Sequence, residues 1–229
     1  VNHGTDQTRA VANMHWQKQM VSGLGQVITP FARVRSDLYV TDNVPDPTVS
    51  SGFRDGEVTS RVLPSAGFDM RWPFMASYEF GQSVFTPVVQ AIAATDETDV
   101  DKIGNEDAIS VNFDSYSLFL QDRFTGQDCY EGGSRANVGV QATTQFDRGG
   151  SINALFGQSY QLFGLNSFAV QDVTNTAVDS GLQNARSDYV ARLNYSPNRT
   201  YTISTRARFD EATLNVQRFQ AEPKANVDR

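Results

Sequence analysis

Between Phe68 and Phe80 the chain alternates. Phe68, Met70, Trp72, Phe74, Ala76, Tyr78 and Phe80 are apolar, and the mostly polar Asp69, Arg71, Pro73, Met75, Ser77 and Glu79 stand between them. A period of two matches a β-strand, in which successive side chains point to opposite faces; a helix would scatter the same rings around its circumference. The pattern recurs in Ala32, Val34, Leu38 and Val40 against Arg33, Arg35 and Asp37, and again in Val138, Val140, Ala142 and Phe146 against Asn137, Gln141, Thr143 and Gln145. A last run sets Tyr201, Ile203, Ala207 and Phe209 against Thr202, Ser204, Arg206, Arg208 and Asp210. No helical segment of comparable clarity competes, so the chain reads as all-β.

Turn residues at Asn43 to Pro47, Gly81-Gln82, Asp99 to Asp107, Arg148-Gly149-Gly150, Ser180-Gly181 and Ser196-Pro197-Asn198 divide these runs. They predict strands near 8–19, 24–40, 66–80, 83–94, 109–123, 135–147, 151–163, 186–195, 200–210 and 213–220. Many exceed the ~5–6 residues usual in globular strands and suit the ~9–11 needed to cross a bilayer at a tilt. Tight connections at 148–150 and 196–198 alternate with long polar ones at 41–65, 95–108 and 164–185, the asymmetry of an outer-membrane barrel with short periplasmic turns and long outer loops. A soluble β-sandwich or β-solenoid also alternates, and periodicity alone leaves these alternatives open.

Composition separates some of these readings. The 229 residues carry 19 Lys plus Arg against 26 Asp plus Glu, a net charge of -7 that argues against nucleic acid as a partner. The mean hydropathy is negative and no apolar run approaches the ~20 residues of a membrane helix. A membrane β-barrel is compatible with that average, because only every second residue meets lipid. One cysteine, Cys129, rules out an internal disulfide and a cysteine-based metal cluster.

From residue 66 onward, ordered short motifs accumulate: Arg71-Trp72-Pro73-Phe74, Thr86-Pro87, Asn105-Glu106-Asp107, Phe113-Asp114 and Leu118-Phe119. The densest block is Arg123-Phe124-Thr125-Gly126-Gln127-Asp128 followed by Glu131-Gly132-Gly133-Ser134-Arg135-Ala136-Asn137-Val138-Gly139-Val140. Asn153 to Tyr160 and Ser187-Asp188-Tyr189-Val190 extend it. In order and spacing these residues resemble the LptD family of lipopolysaccharide-assembly proteins of the Gram-negative outer membrane, the organic solvent tolerance proteins, best over about 66–210. The family usually has Arg directly after the Asp of its Gly-x-Asp motif, where this chain has Cys129.

The resemblance implies a barrel of about 26 strands, at the upper range of single-chain barrels, preceded by a periplasmic jellyroll. Lipopolysaccharide arrives over periplasmic Lpt bridge proteins and leaves between the first and last strands, while an LptE-like lipoprotein plugs the lumen. On this reading the chain is an antiparallel meander of long strands, an incomplete internal segment of the barrel, without the jellyroll or the gate strands. It is a non-catalytic part of a translocon in the lipid bilayer. A general outer-membrane channel or receptor shares the same wall physics, and a soluble carbohydrate-binding β-protein is a more distant alternative.

Motifs for chemistry are weak. His3 and His15 have no carboxylate or cysteine at ligand spacing. Gly23-Leu24-Gly25 lacks the third glycine of a dinucleotide loop, and the two Phe-Gly-Gln-Ser stretches, at Phe80 and Phe156, lack a nucleophile elbow's second glycine. They are expected to mark similar positions in two strands, or chance. In the acidic stretch Asp96 to Gly104, Asp99, Asp101 and Gly104 fit an EF-hand, but Ile103 and Ser110 replace oxygen ligands, so a solvated loop is expected. Asn198-Arg199-Thr200 matches a glycosylation sequon without informing on function. Neither a cofactor nor a metal site is therefore expected. The candidate site is the polar cluster Arg123, Gly126, Asp128, Glu131 and Arg135, which either anchors a loop folded into the lumen or forms ordinary solvated turn charge.

Overall fold

The computed structural model describes residues 6–42, 44–45, 52–54, 56–98, 103, 105–170 and 176–225. Their strands are β1 (Asp6–Gln17), β2 (Met20–Val21), β3 (Val27–Asp42), β4 (Val44–Pro45), β5 (Phe53–Arg54), β6 (Glu57–Arg71), β7 (Phe74–Tyr78), β8 (Gly81–Ala94), β9 (Ser134–Phe146), β10 (Ser151–Phe163), β11 (Tyr189–Ser196), β12 (Tyr201–Phe209) and β13 (Val216–Ala225). The main sheet is an antiparallel meander in the order β1-β3-β6-β8-β9-β10-β11-β12-β13, with β2 on β3 and β7 on β8. It is not closed: among the described residues β1 and β13 each pair on one side only. β4 and β5 form a small separate ribbon.

The long alternating run around Trp72 is a strand with one interruption. Pro73 has no amide hydrogen to donate, and the ladder lapses at Trp72-Pro73. The register survives the gap: Phe68 lies opposite Ala91, Phe74 lies opposite Phe85, and the Trp72 amide donates to the Pro87 carbonyl at 3.1 Å. The strand begins at Glu57, well before the expected residue 66. The other expected strands stand within a few residues of their places, except 109–123, which forms none. Its backbone turns at Asp114, whose side chain accepts from the amides of Tyr116 at 2.8 Å and Ser117 at 3.0 Å. β8 and β9 pair directly with each other, leaving no edge into which 109–123 could insert. The two Phe-Gly-Gln-Ser stretches are not equivalent either. Phe80 sits in the turn before β8, and Phe156 in the middle of β10.

The two faces of the sheet have inverted polarity. On β3 the apolar Val34 and Leu38 are 44% and 46% exposed, while Arg35 and Asp37 between them are 1% and 2% exposed. Neighbouring strands agree, because cross-strand partners share a face. Val34 lies opposite Met14 and Pro64, and Leu38 opposite Ala10 and Ser60. In water such an arrangement would forfeit the hydrophobic term, whereas lipid on the apolar face restores it.

The inner face is covered by the long connections. The described residues of 95–133 and 164–188 fold back over it, and a small apolar core forms there from Val111, Phe113, Leu118, Phe168, Ala177 and Leu182 against Leu155 of β10 and Val190 of β11. The two connections bond to each other, the Val111 amide to the Thr176 carbonyl at 2.8 Å and the Phe113 amide to the Ser180 carbonyl at 3.1 Å. Near the short turns, Trp72 packs beside Phe74 at 4.9 Å, and Phe80 stacks on Tyr78 at 5.2 Å and faces Phe146 at 6.3 Å, while the exposed Tyr195 adjoins the turn after β11. Aromatic girdles of this kind mark a bilayer interface, and short turns mark its periplasmic side.

These faces carry a direct expectation. In the full-length protein, Leu38→Arg places a charge on the lipid side and is expected to cost ~2–4 kcal/mol if it lies near the bilayer midplane. The inward Gln141→Lys is expected to be tolerated. Heat-modifiable electrophoretic mobility reads the folded fraction of each; equal folding of the two variants would contradict the face assignment.

Candidate functional site

The described residues of the connection 95–133 are held against the sheet by two buried polar clusters. In the first, Arg123 is the hub. Its Nη1 reaches Glu131 Oε1 at 2.7 Å, and its Nη2 donates to Asn137 Oδ1 at 2.6 Å, Ser159 Oγ at 3.0 Å and the Leu118 carbonyl at 3.1 Å. Its Nε donates to the Ser117 carbonyl at 3.2 Å, and the guanidinium lies 5.3 Å from the centre of the Phe113 ring. Glu131 also faces Arg135 Nε at 3.2 Å, and Arg135 Nη2 donates to the Gln121 carbonyl at 2.6 Å. Asn137 passes the network on to Gln90 Oε1 at 2.7 Å, and Gln90 donates to the Phe119 carbonyl at 2.9 Å. Every partner in this chain of bonds lies on the loop or on the inner face of β8, β9 or β10.

The second cluster sits on β1, β3 and β6. Arg61 donates to Asp37 Oδ2 at 2.6 Å, Glu97 Oε2 at 2.9 Å, the Asp128 carbonyl at 2.9 Å and the Gln127 carbonyl at 2.7 Å. The Gln127 carbonyl also accepts from Tyr39 OH at 3.0 Å and from the Arg35 guanidinium. The Asp128 side chain accepts from Arg9 at 2.8 Å, Gln7 at 3.2 Å and the Glu106 amide at 2.9 Å. Gly126 makes the turn that delivers these carbonyls. Its φ is +76°, and a Cβ there would run into the Asp107 carboxylate. That carboxylate accepts from the Gln127 amide at 2.9 Å and the Asp128 amide at 3.1 Å.

The five residues singled out in the sequence thus divide between the clusters. Arg123, Glu131 and Arg135 meet in one; Asp128 joins the other, with Gly126 shaping its turn. Arg61, Asp37, Arg35, Tyr39, Glu97, Asp107, Asn137 and Ser159 were not among them. The polar side of β3 carried a signal for Arg35 and Asp37, but Arg61 falls in the stretch 41–65 that reads as a long loop. Cys129, half-buried, stands between the Asp128 and Tyr130 of this docked segment.

Burial sets the electrostatics of the loop. It pushes the Asp122 carboxyl up to about 6, with the neighbouring Glu131 charge adding to the effect. Burial also pushes Arg123 down to about 10 against the attraction of Glu131. At Asp107 burial works upward, but the amides of Gln127 and Asp128 and the Arg9 guanidinium outweigh it and hold the carboxyl below the usual range.

The acidic stretch partly enters these clusters. Glu97 pairs with Arg61, Asp96 accepts from the Leu165 amide at 2.7 Å, and Ile103 is buried. Asp99, Asp101 and Gly104 lie outside the described residues, as does His3. Among the described residues no group of three or more His, Cys, Asp or Glu side chains could hold a metal ion.

A family model described as LptD, LPS transport system D, matches residues 2–229. The chain belongs to the LptD family. The match reaches well before residue 66, where the motifs are sparse. None of the curated proteins compared with the chain matches it. As an LptD-family chain, this protein is part of the non-catalytic outer-membrane barrel that inserts lipopolysaccharide into the Gram-negative outer membrane. The LptD assignment also accounts for the inverted faces, because the apolar side of an LptD barrel strand meets lipid and the polar side meets the lumen.

The raised Asp122 has a testable consequence. Its proton is held more tightly in the docked loop than in an undocked chain, so docking is favoured at low pH and weakened as pH rises from about 4 towards about 6. Asp122→Asn is expected to abolish this dependence and to hold the loop at neutral pH as firmly as acid holds the native one. Limited proteolysis within 95–133 of the full-length protein in detergent, followed across pH 4 to 8, measures it. Unchanged pH dependence in the variant would refute the assignment.

Proposed function

We propose that this chain is an internal stretch of the translocon wall whose folded-in loop, pinned by the two buried clusters, narrows the lumen and fixes its shape. The observation that carries the reading is the inversion of polarity: charged side chains are buried on the side the loops cover, and apolar side chains are exposed on the other. Arg61 and Arg123 each bind both the sheet and the loop. They therefore couple lumen geometry to the integrity of the wall.

In this reading the periplasmic Lpt bridge delivers lipopolysaccharide to the full-length protein, and an LptE-like lipoprotein occupies the remaining lumen. The jellyroll and gate strands belong to other parts of that protein. Arg123, Gly126, Asp128, Glu131 and Arg135 act by positioning the loop rather than by touching a reacting group.

Asp128→Ala removes one of the two carboxylates that Arg9 bridges, leaving it Asp107, and removes the acceptor of the Glu106 amide. Glu131→Ala leaves Arg123 and Arg135 buried without their counter-charge, a loss on the scale of ~3–5 kcal/mol. In the full-length protein both variants are expected to raise outer-membrane permeability to bulky antibiotics and to lower the assembled barrel fraction, Glu131→Ala more strongly. Wild-type permeability and assembly in both would overturn the anchoring role.

A further inference from the structure

Beside Phe119 and Gln121 of the docked loop, the inner face holds an open cavity of about 440 Å3. That is within the ~300–1,000 Å3 typical of small-molecule sites. Its walls come from β1, β3, β6 and β8 on one side and from Phe119 and Gln121 of the loop on the other. None of its residues belongs to the set that the sequence singled out.

The lining chemistry is specific. Gln17, Gln19 and Gln121 supply side-chain amides able to donate and to accept, Thr29 adds a hydroxyl, and Gln90 is held in place by Asn137 and the Phe119 carbonyl. The one acid and one base, Asp69 and Arg71, are bonded to each other at 2.9 Å and leave no net charge. Phe31 and Phe119 give the floor an apolar part. A neutral wall of paired donors and acceptors over an apolar floor complements a polyol with hydroxyls on its edges and C–H groups on its faces. It offers little to a phosphate, which calls for unpaired guanidinium or ammonium groups.

We propose that this cavity is a saccharide subsite, taking an unphosphorylated stretch of sugar from the lipopolysaccharide that passes through the lumen. The proposal rests on the family's transport role, and it adds a place and a recognition chemistry for one part of the cargo. Gln121 is its most informative residue. Its backbone carbonyl accepts from Arg135 and anchors the loop, and the residue lines the cavity. A truncation at this position therefore removes the side-chain amide and keeps the anchor.

The test uses the full-length protein in detergent and saturation-transfer NMR with three probes: delipidated, dephosphorylated lipopolysaccharide oligosaccharide; the same oligosaccharide with its phosphates; and inorganic phosphate. The dephosphorylated oligosaccharide is expected to bind, and Gln121→Ala and the isosteric Thr29→Val are each expected to weaken it about five-fold, the loss of one hydrogen bond. Val62→Thr on the lipid face is expected to change nothing. Absence of binding, binding unaffected by both cavity substitutions, or binding only of phosphorylated probes would overturn the subsite. Depleting the full-length protein in cells tests the transport role separately. If lipopolysaccharide then fails to reach the surface while no saccharide binds, the subsite falls and the transport role stands.

Discussion

The constraint on which everything else depends is that this sheet has its apolar side turned outward. Once lipid claims Val34, Leu38, Val138 and Phe156, every alternate side chain on the same strands must face inward, and many of those are Arg, Asp, Asn, Gln and Ser beside Phe31, Tyr39 and Leu155. Charges removed from water need partners. The loops supply them, chiefly through backbone carbonyls and carboxylates. The buried network around Arg61 and Arg123 follows from the inversion.

This also explains why the apolar core is small and lies off the sheet. Phe113, Leu118 and Phe168 pack where loop meets loop, above Leu155 and Val190. Lipid and the inter-strand ladder carry the wall, so the core has only to seat the loops. The polar clusters then fix their register, a task for which directional bonds suit better than apolar contact. Because Arg61 binds carbonyls of a turn shaped by Gly126, a local backbone requirement is tied to charges on strands distant in sequence.

The wall was legible in the sequence because period two survives averaging: β10 stands at Ser151–Phe163, where the turn residues placed it. Other features depended on contacts that a linear pattern does not carry. Segment 109–123 has enough apolar residues to read as a strand, yet Asp114 turns it and the direct pairing of β8 with β9 excludes it. The beginning of β6 was hidden among the polar residues of 41–65, and Arg61 with it. The candidate cluster was visible as a density of charge around Arg123, but its division into two anchors follows from which strand each residue meets, and spacing along the chain has no access to that. The family resemblance identified the barrel; the partition of the loop's contacts emerged from the fold.

The account is most directly tested by measuring which side chains of β3 meet lipid. Single cysteines placed in turn from Phe31 to Thr41 of the full-length protein, in a Cys129→Ser background and reconstituted in bilayers, can be spin-labelled and probed with oxygen, which partitions into lipid. The account predicts alternation, with high oxygen accessibility at Ala32, Val34, Ser36, Leu38 and Val40 and low accessibility at Arg33, Arg35, Asp37 and Tyr39. Uniform accessibility along the strand, or alternation with the opposite phase, would contradict it.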